Sequence, residues 1–273
     1  MTKKRCSICS SDQTDCKVKI TSRPKGETNF NISEKKYYRS IHYCQKCSIY
    51  FCQHEYDFVE LYRGNYNDST YRNQITKTYE NIMNLPPEQS DNIQRCKRLH
   101  HFLSSKYKNL STCRILDVGS GLSVFLGKMK EYGYSGFAID PDQNSIHHAL
   151  YYVKLKGGFC GEVSQFKPDK PFQVITLNKV LEHVKDPKKL LDETLSHLEI
   201  GGYCYIELPD GEAASQHGGF IDREEFYIEH YYTYTKRSTQ NLLQNSGMKV
   251  LQLEAIHEPS DKFTLYAIGQ KVS

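Results

Sequence analysis

Arg114-Ile115-Leu116-Asp117-Val118-Gly119-Ser120-Gly121 is an apolar run that reads as a buried strand and ends in a glycine turn. Leu122, Phe125, Leu126 and Met129 then recur at helical spacing until Gly133 stops the pattern. Strand, glycine turn and helix in that order open a nucleotide-binding α/β unit, because glycine at 119 and 121 lets ligand atoms approach the backbone where a side chain would clash. Roughly 20 residues further on, Gly136-Phe137-Ala138-Ile139-Asp140 reads as a second strand with an acid at its end, placed to accept hydrogen bonds from both hydroxyls of a ribose.

Two residues narrow the ligand. Val124 stands where a G-x-G-x-x-G dinucleotide fingerprint needs its third glycine, and Asp117 puts a carboxylate two residues before the first one. A turn that binds pyrophosphate is poorly served by that carboxylate, whereas a ligand with a cationic amine or sulfonium is well served by it. S-adenosylmethionine fits this description. Further along, Phe172 to Leu177 reads as a buried strand. Asp186-Pro187 is a helix cap followed by proline at the first helical position, and Leu190, Leu191, Thr194, Leu195 and Leu198 form an apolar stripe up to Gly201-Gly202. Tyr203 to Leu208 is the next expected strand. Alternating strands and helices imply an α/β, doubly wound sheet with its ligands outside the carboxyl ends of the strands, so Asn178, Glu182, His183 and Glu207 to Asp210 are expected to face the site.

Taken together, Leu116 to Gly121, Ile139-Asp140-Pro141, Val180-Leu181-Glu182-His183-Val184-Lys185-Asp186-Pro187 and Gly201 to Pro209 resemble, in that order, the motifs of class I S-adenosylmethionine-dependent methyltransferases. The resemblance implies a Rossmann-like, seven-stranded methyltransferase sheet and cofactor contacts from Asp117, Gly119, Ser120, Gly121, Asp140 and Asn178. Ser123 departs from the pattern where the family often has a further glycine, and Gln173 where it commonly has Asp.

The amino-terminal part carries different chemistry. Cys6-Ser7-Ile8-Cys9 and Cys44-Gln45-Lys46-Cys47 are two C-x-x-C pairs, able to close a four-thiolate site with no open position for a reacting water, which is the description of structural zinc. The 34 residues between Cys9 and Cys44 exceed the usual spacing and suggest an inserted hairpin in a ribbon-like module, with strands around Cys16 to Ile20 and Tyr37 to Tyr43. His42, Cys52 and His54 lie near enough to replace one ligand. The scattered Cys96, Cys113, Cys160 and Cys204 read as small buried hydrophobes. A Tyr- and Asn-rich stretch from Tyr56 to Tyr79 reads as a connector, with Tyr62 and Tyr66 as lid candidates, and Ser90 or Asp91 caps a helix with Ile93, Cys96, Leu99 and Leu103 on one face. The expected division is a zinc-ribbon module over 1–60, a connector and helical segment over 61–109, and the methyltransferase domain over 110–273.

Composition is that of a globular protein, with 38% hydrophobic and 25% charged residues, so disorder and collagen-like repeats are excluded. No apolar run reaches the roughly 18 residues that cross a bilayer, and the first residues lead into no apolar signal segment, so the expectation is a cytoplasmic protein without membrane contact. Residues 1–60 hold 11 Lys and Arg against 7 Asp and Glu while the rest balances at 25 against 25, a weak case for nucleic acid.

The acceptor side is expected in the long segment from Asp210 to Tyr234. Its Tyr227-Ile228-Glu229-His230, together with the double C-x-x-C, is similar to bacterial enzymes that methylate nucleotide-linked deoxysugars. That similarity implies proton transfer or acceptor contact by Tyr227, Glu229, His230 and His183. The carbon-methylating members carry a further carboxyl-terminal domain with no counterpart up to Ser273, which favours a sugar hydroxyl or amine over carbon. The expected reaction is methyl transfer to a hydroxyl, amine or carbon of a sugar-like or nucleotide-linked small molecule, with His230 and Glu229, or His183, removing the proton. Glu162 reads as an exposed loop acid or an adenine neighbour. Two rival readings are an RNA or nucleobase methyltransferase gripping nucleic acid through the zinc ribbon, and a cofactor-binding protein without transfer activity.

Overall fold

The structure, a computed structural model, describes residues 4–30, 32–56 and 74–272. Tyr62, Tyr66 and most of the expected connector lie outside the described residues.

Among the amino-terminal residues, β1 (Thr14–Ile20), β2 (Arg39–Cys44) and β3 (Ile49–Gln53) form an antiparallel meander. Two helices follow, α1 (Ile75–Met83) and α2 (Asp91–Ser104). The Ser90 hydroxyl accepts the Ile93 N–H at 3.2 Å to start α2, and Ile93, Cys96, Leu99 and Leu103 are all buried on its inner face.

The main domain then alternates β4 (Arg114–Val118), α3 (Val124–Glu131), β5 (Ser135–Asp140), α4 (Gln143–His147), β6 (Gly157–Cys160), β7 (Phe172–Asn178), α5 (Pro187–Leu195) and β8 (Leu198–Pro209). After α6 (Gly211–Gln216), β9 (Tyr232–Thr233) and α7 (Lys236–Asn245), the chain closes with the hairpin β10 (Met248–His257) and β11 (Phe263–Lys271). The seven-stranded sheet has the order β10-β11-β8-β7-β4-β5-β6. Its β8-β7-β4-β5-β6 part is parallel and the last hairpin adds antiparallel strands at one edge. Every residue of β4 is buried, as a strand covered on both faces requires.

Local chemistry explains the boundaries. Asp186 accepts the Lys189 N–H at 3.0 Å and Pro187 occupies the first turn of α5, as the sequence suggests. The helix nevertheless stops at Leu195, and β8 begins at Leu198 rather than Tyr203, because Leu198 already pairs with Phe172 of β7. Gly201, at φ +82°, therefore bends a strand instead of ending a helix. Thr235 and Ser238 cap α7 reciprocally, each side chain accepting the other's backbone N–H.

The segment between α6 and α7 does not stand free as a loop. β9 pairs with β3 and makes the small sheet four-stranded, β1-β2-β3-β9, with Tyr50 opposite Thr233 and Phe51 opposite Tyr232. A buried ion pair, Arg39 to Glu27 at 3.0 Å with both side chains fully covered, grips the same segment. Glu27 accepts the Ile228 N–H at 2.8 Å and Arg39 donates to the Phe226 carbonyl. Removing one partner of such a pair typically costs about 3–5 kcal/mol. Cys6, Cys44, Ile49 and Phe51 pack in the same core as Leu177, Leu208 and Tyr232.

Candidate functional site

A cavity of about 420 Å³ lies at the carboxyl ends of β4, β5 and β7, where Val118, Gly119, Gly121, Ile139 and Asp140 form one part of its wall. Glycine is required at 119 for two reasons: φ is +71°, and a Cβ there would lie 2.7 Å from Val180 Cγ2. Gly121 donates its N–H to Asp140 Oδ2 at 2.8 Å, and the Asp142 N–H donates to Asp140 Oδ1 at 2.9 Å. Asp140 thus faces the cavity and also ties the end of β5 to the glycine turn. Burial pushes its carboxyl up to about 6, against the two backbone donors that favour the carboxylate.

Asp117 is buried directly beneath the turn and does not form part of the wall. Its Oδ1 accepts from Thr176 Oγ1 at 2.6 Å and Asn178 Nδ2 at 2.9 Å, and burial pushes its carboxyl up to about 7. The Ser120 hydroxyl and Asn178 Oδ1 are buried with no hydrogen-bond partner among the described residues. Neither residue lines the cavity, but both adjoin the turn; two wall glycines and a wall carboxylate beside these orphaned polar atoms suit a ligand carrying an amine, a carboxylate and a ribose, and S-adenosylmethionine fits that description. Ser123 adopts φ +56° with its hydroxyl buried and unpartnered, which explains why glycine is the more comfortable residue there.

The rest of the wall includes Glu162, Val163, Lys179, His183, Lys185 and Tyr231. Of the four residues expected to act on the acceptor, His183 alone is in this wall. Its Nδ1 lies 3.2 Å from the Glu229 carbonyl; a carbonyl only accepts, so Nδ1 carries the hydrogen and the lone pair is on Nε2. Burial lowers its pKa to about 4, so it is neutral at pH 7. His230 stands behind it, ring centroids 4.7 Å apart, with Nδ1 2.9 Å from the Glu225 carbonyl and its pKa also lowered by burial. Donor atoms of Glu182, His183 and His230 all lie within 4.8 Å of one another, a grouping suited to sharing a proton or a cation. Both carboxylate oxygens of the fully buried Glu182 lack partners among the described residues, and burial pushes its pKa up to about 7. Tyr227 points elsewhere, its hydroxyl donating to the Lys25 carbonyl at 3.0 Å. Glu229 reaches His183 through its backbone, while burial raises its own carboxyl to about 7.

Two further expectations change. Glu207 does not face the site: Arg95 and Arg98, at 2.6 and 2.8 Å, enclose its fully buried carboxylate and hold its pKa down to about 2. Asp210 caps α6, accepting the N–H groups of Glu212 and Ala213 at 3.0 and 3.2 Å. Lys179 belongs to no motif in the sequence yet lines the cavity. It follows the end of β7 at φ +59°, and its ammonium donates to Thr264 Oγ1 at 2.6 Å.

At the β2–β3 turn of the small sheet, Cys6 and Cys47 sulfurs are 3.6 Å apart, as are those of Cys9 and Cys44, and all four lie within 4.8 Å of one another. A tetrahedron of thiolates about 2.3 Å from zinc has edges of about 3.8 Å, so the donor set and its spacing fit that ion. His42, bonded to Ser40 Oγ at 2.9 Å, and Cys52 and His54 stand outside the group.

A mixed seven-stranded sheet in this order, with a glycine turn after β4 and an acid closing β5, is the fold of a class I S-adenosylmethionine-dependent methyltransferase. The chain belongs to the methyltransferase-domain family, whose model matches residues 89–253. Among curated proteins it is similar to a ubiquinone biosynthesis O-methyltransferase of Rickettsia canadensis (strain McKiel), 27% identical over 108 residues, 38% of this chain and 46% of the relative. The protein of the same name from Rickettsia bellii (strain OSU 85-389) is 23% identical over 178 residues, 60% of this chain and 73% of the relative. The chain thus spans under half the length of the first of these relatives. Among solved structures it is similar to magnesium protoporphyrin IX methyltransferase from Synechocystis PCC 6803 with bound S-adenosylhomocysteine, with TM-score 0.59, 11% identity and coverage of 79% of this chain and 100% of that one. The Burkholderia thailandensis 1,6-didemethyltoxoflavin-N1-methyltransferase gives TM-score 0.56 at 13% identity, covering 82% and 96%. At such identities these structures carry the fold. No described helix is long and apolar enough to cross a membrane.

Proposed function

We propose that the protein transfers a methyl group from S-adenosylmethionine to a hydroxyl oxygen of a small-molecule acceptor. The observation that carries this reading is a single cavity whose wall contains both the glycine turn with Asp140 and the neutral imidazole of His183. When bound, the cofactor supplies a methyl group already activated by the adjacent sulfonium. Gly119 and Gly121 admit its amino-acid end to the backbone, Asp117 sets a negative field beneath the turn, and Asp140 accepts from the ribose hydroxyls. A hydroxyl must lose its proton as it is methylated, and His183, with its hydrogen committed to Glu229 on Nδ1, takes that proton on Nε2. His230 and Glu182 stand within reach to share the charge. Alignment of the acceptor within the cavity supplies the remainder of the rate.

The acceptor class follows the hydroxyl chemistry and the O-methyltransferase relatives. A sugar-like acceptor gains no support from those relatives, nor from Tyr227, which is turned away from the cavity. Zinc in the four-cysteine centre is proposed as a structural ion. The test is incubation with labelled S-adenosylmethionine and panels of phenols, nucleotide sugars and total RNA. Label in an alkali-stable ether of a small hydroxy compound supports the reading; label in RNA alone overturns it.

A further inference from the structure

The four-cysteine centre and the cavity are joined by one side chain. Tyr232 is buried in β9, and its hydroxyl lies 2.9 Å from the Lys185 carbonyl and 3.0 Å from Ser7 Oγ. A phenol has one hydrogen, and the carbonyl can only accept, so Tyr232 donates to Lys185 and Ser7 donates to Tyr232. Ser7 sits inside the first C-x-x-C knuckle, between Cys6 and Cys9, while Lys185 belongs to the cavity wall. The neighbouring backbone runs the same way. The Tyr231 N–H donates to the Glu182 carbonyl at 2.8 Å, and the Tyr231 carbonyl accepts from the Cys52 N–H at 2.9 Å. Tyr231 itself is in the wall. Residues 231–232 are thus held on one side by the metal-competent module and on the other by the segment that carries His183.

We infer that Tyr232 is a positioning residue which couples metal occupancy of the Cys6, Cys9, Cys44 and Cys47 centre to ligand binding in the cavity. The inference rests on both the zinc and the cofactor readings above. A loaded centre fixes the knuckle that holds Ser7, Ser7 fixes the Tyr232 hydroxyl, and Tyr232 fixes the wall at Lys185. Binding in the cavity favours the ordered wall and therefore favours the loaded centre. Coupling of this kind is reciprocal: if metal raises affinity for a cavity ligand by some factor, that ligand raises metal affinity by the same factor.

The full chain, loaded with zinc, tests this with S-adenosylhomocysteine as the probe. Metal content is measured first by elemental mass spectrometry and binding of the probe by calorimetry. Zinc affinity is then measured by competition with a chromophoric chelator, with and without saturating probe. The expected result is a zinc affinity about five-fold or more higher with the probe, within the usual range of coupling. Ser7→Ala, at an exposed position, and Tyr232→Phe are expected to keep one zinc and to bring this ratio towards one. Equal zinc affinity with and without probe in the wild type overturns the coupling, as does an unchanged ratio in both variants. A chain without zinc overturns the metal reading and the coupling with it, and a chain that fails to bind the probe overturns the cofactor reading; the first two measurements distinguish these cases from a failure of the coupling alone.

Discussion

Replacing Asp140 is expected to do two things at once, and the structure allows them to be separated. Its two carboxylate oxygens accept the Gly121 and Asp142 N–H groups at 2.8 and 2.9 Å, so Asp140→Ala leaves two partly or fully buried donors without acceptors. Each such loss costs about 1–3 kcal/mol of stability, and each kcal/mol lowers the melting temperature by about 2–4 °C for a chain of this size. The same substitution removes the acceptor proposed for the ribose, a charged hydrogen bond of about 1.5–3 kcal/mol, or about 10- to 150-fold in affinity. Asp140→Asn keeps one carbonyl oxygen for the loop but replaces the other oxygen by a donor. It is expected to recover about half of the lost stability while affinity stays lowered about ten-fold or more. Calorimetric titration with S-adenosylhomocysteine at pH 8, where Asp140 is ionised, reads the affinity, and thermal unfolding reads the loop. If Asp140→Asn lowers the melting temperature yet binds within about two-fold of wild type, a change under the roughly 0.5 kcal/mol of an ordinary neutral substitution, Asp140 is a loop clamp and the ribose assignment is refuted.

Ser123→Gly is expected to raise stability by about 1 kcal/mol, because it removes a left-handed non-glycine residue and an unpartnered buried hydroxyl; a lower melting temperature contradicts this. His183→Ala is expected to lower kcat about 10²- to 10⁴-fold with S-adenosylhomocysteine affinity nearly unchanged, and His230→Ala to lower it less. Tyr227→Phe is expected to leave kcat as it is, since the hydroxyl it removes bonds Lys25; a loss of kcat there restores Tyr227 to the acceptor side. Cofactor binding is expected to release protons below pH 7. Burial holds Asp117 at about 7 and Asp140 at about 6 before the ligand arrives, and a cationic ligand favours both carboxylates, so affinity rises with pH from 5 to 7 and levels off above. Calorimetry in two buffers of different ionisation enthalpy detects the release, and pH-independent binding over that range contradicts it.

The features of the fold and site that are legible in the sequence are those set by local rules. The strand at Ile115 to Val118, the glycines at 119 and 121, the acid at 140 and the caps at Ser90 and Asp186 each follow from near neighbours in the chain, and each stands where the pattern puts it. What was not legible depends on pairing across long separations. Tyr232 and Thr233 form too short a strand to announce itself, and they become one because β3 offers an open edge. Glu207 lies near the carboxyl end of β8 yet is taken by Arg95 and Arg98 from α2, which no local spacing discloses. His183 and His230 look alike as candidates in the sequence; the cavity wall separates them, since the first lines it and the second packs behind. Lys179 carried no motif at all, and its place follows from a left-handed backbone at the end of β7.

The most direct measurement is a single-turnover assay with methyl-labelled S-adenosylmethionine, the full chain and a panel of small hydroxy compounds, run on wild type and His183→Ala side by side. Wild type is expected to place label in an ether linkage on one class of hydroxyl acceptor, and His183→Ala to react at least about 100-fold more slowly at equal cofactor affinity. Equal rates in the two proteins, or label appearing on nitrogen, carbon or RNA and on no hydroxyl, contradicts that expectation.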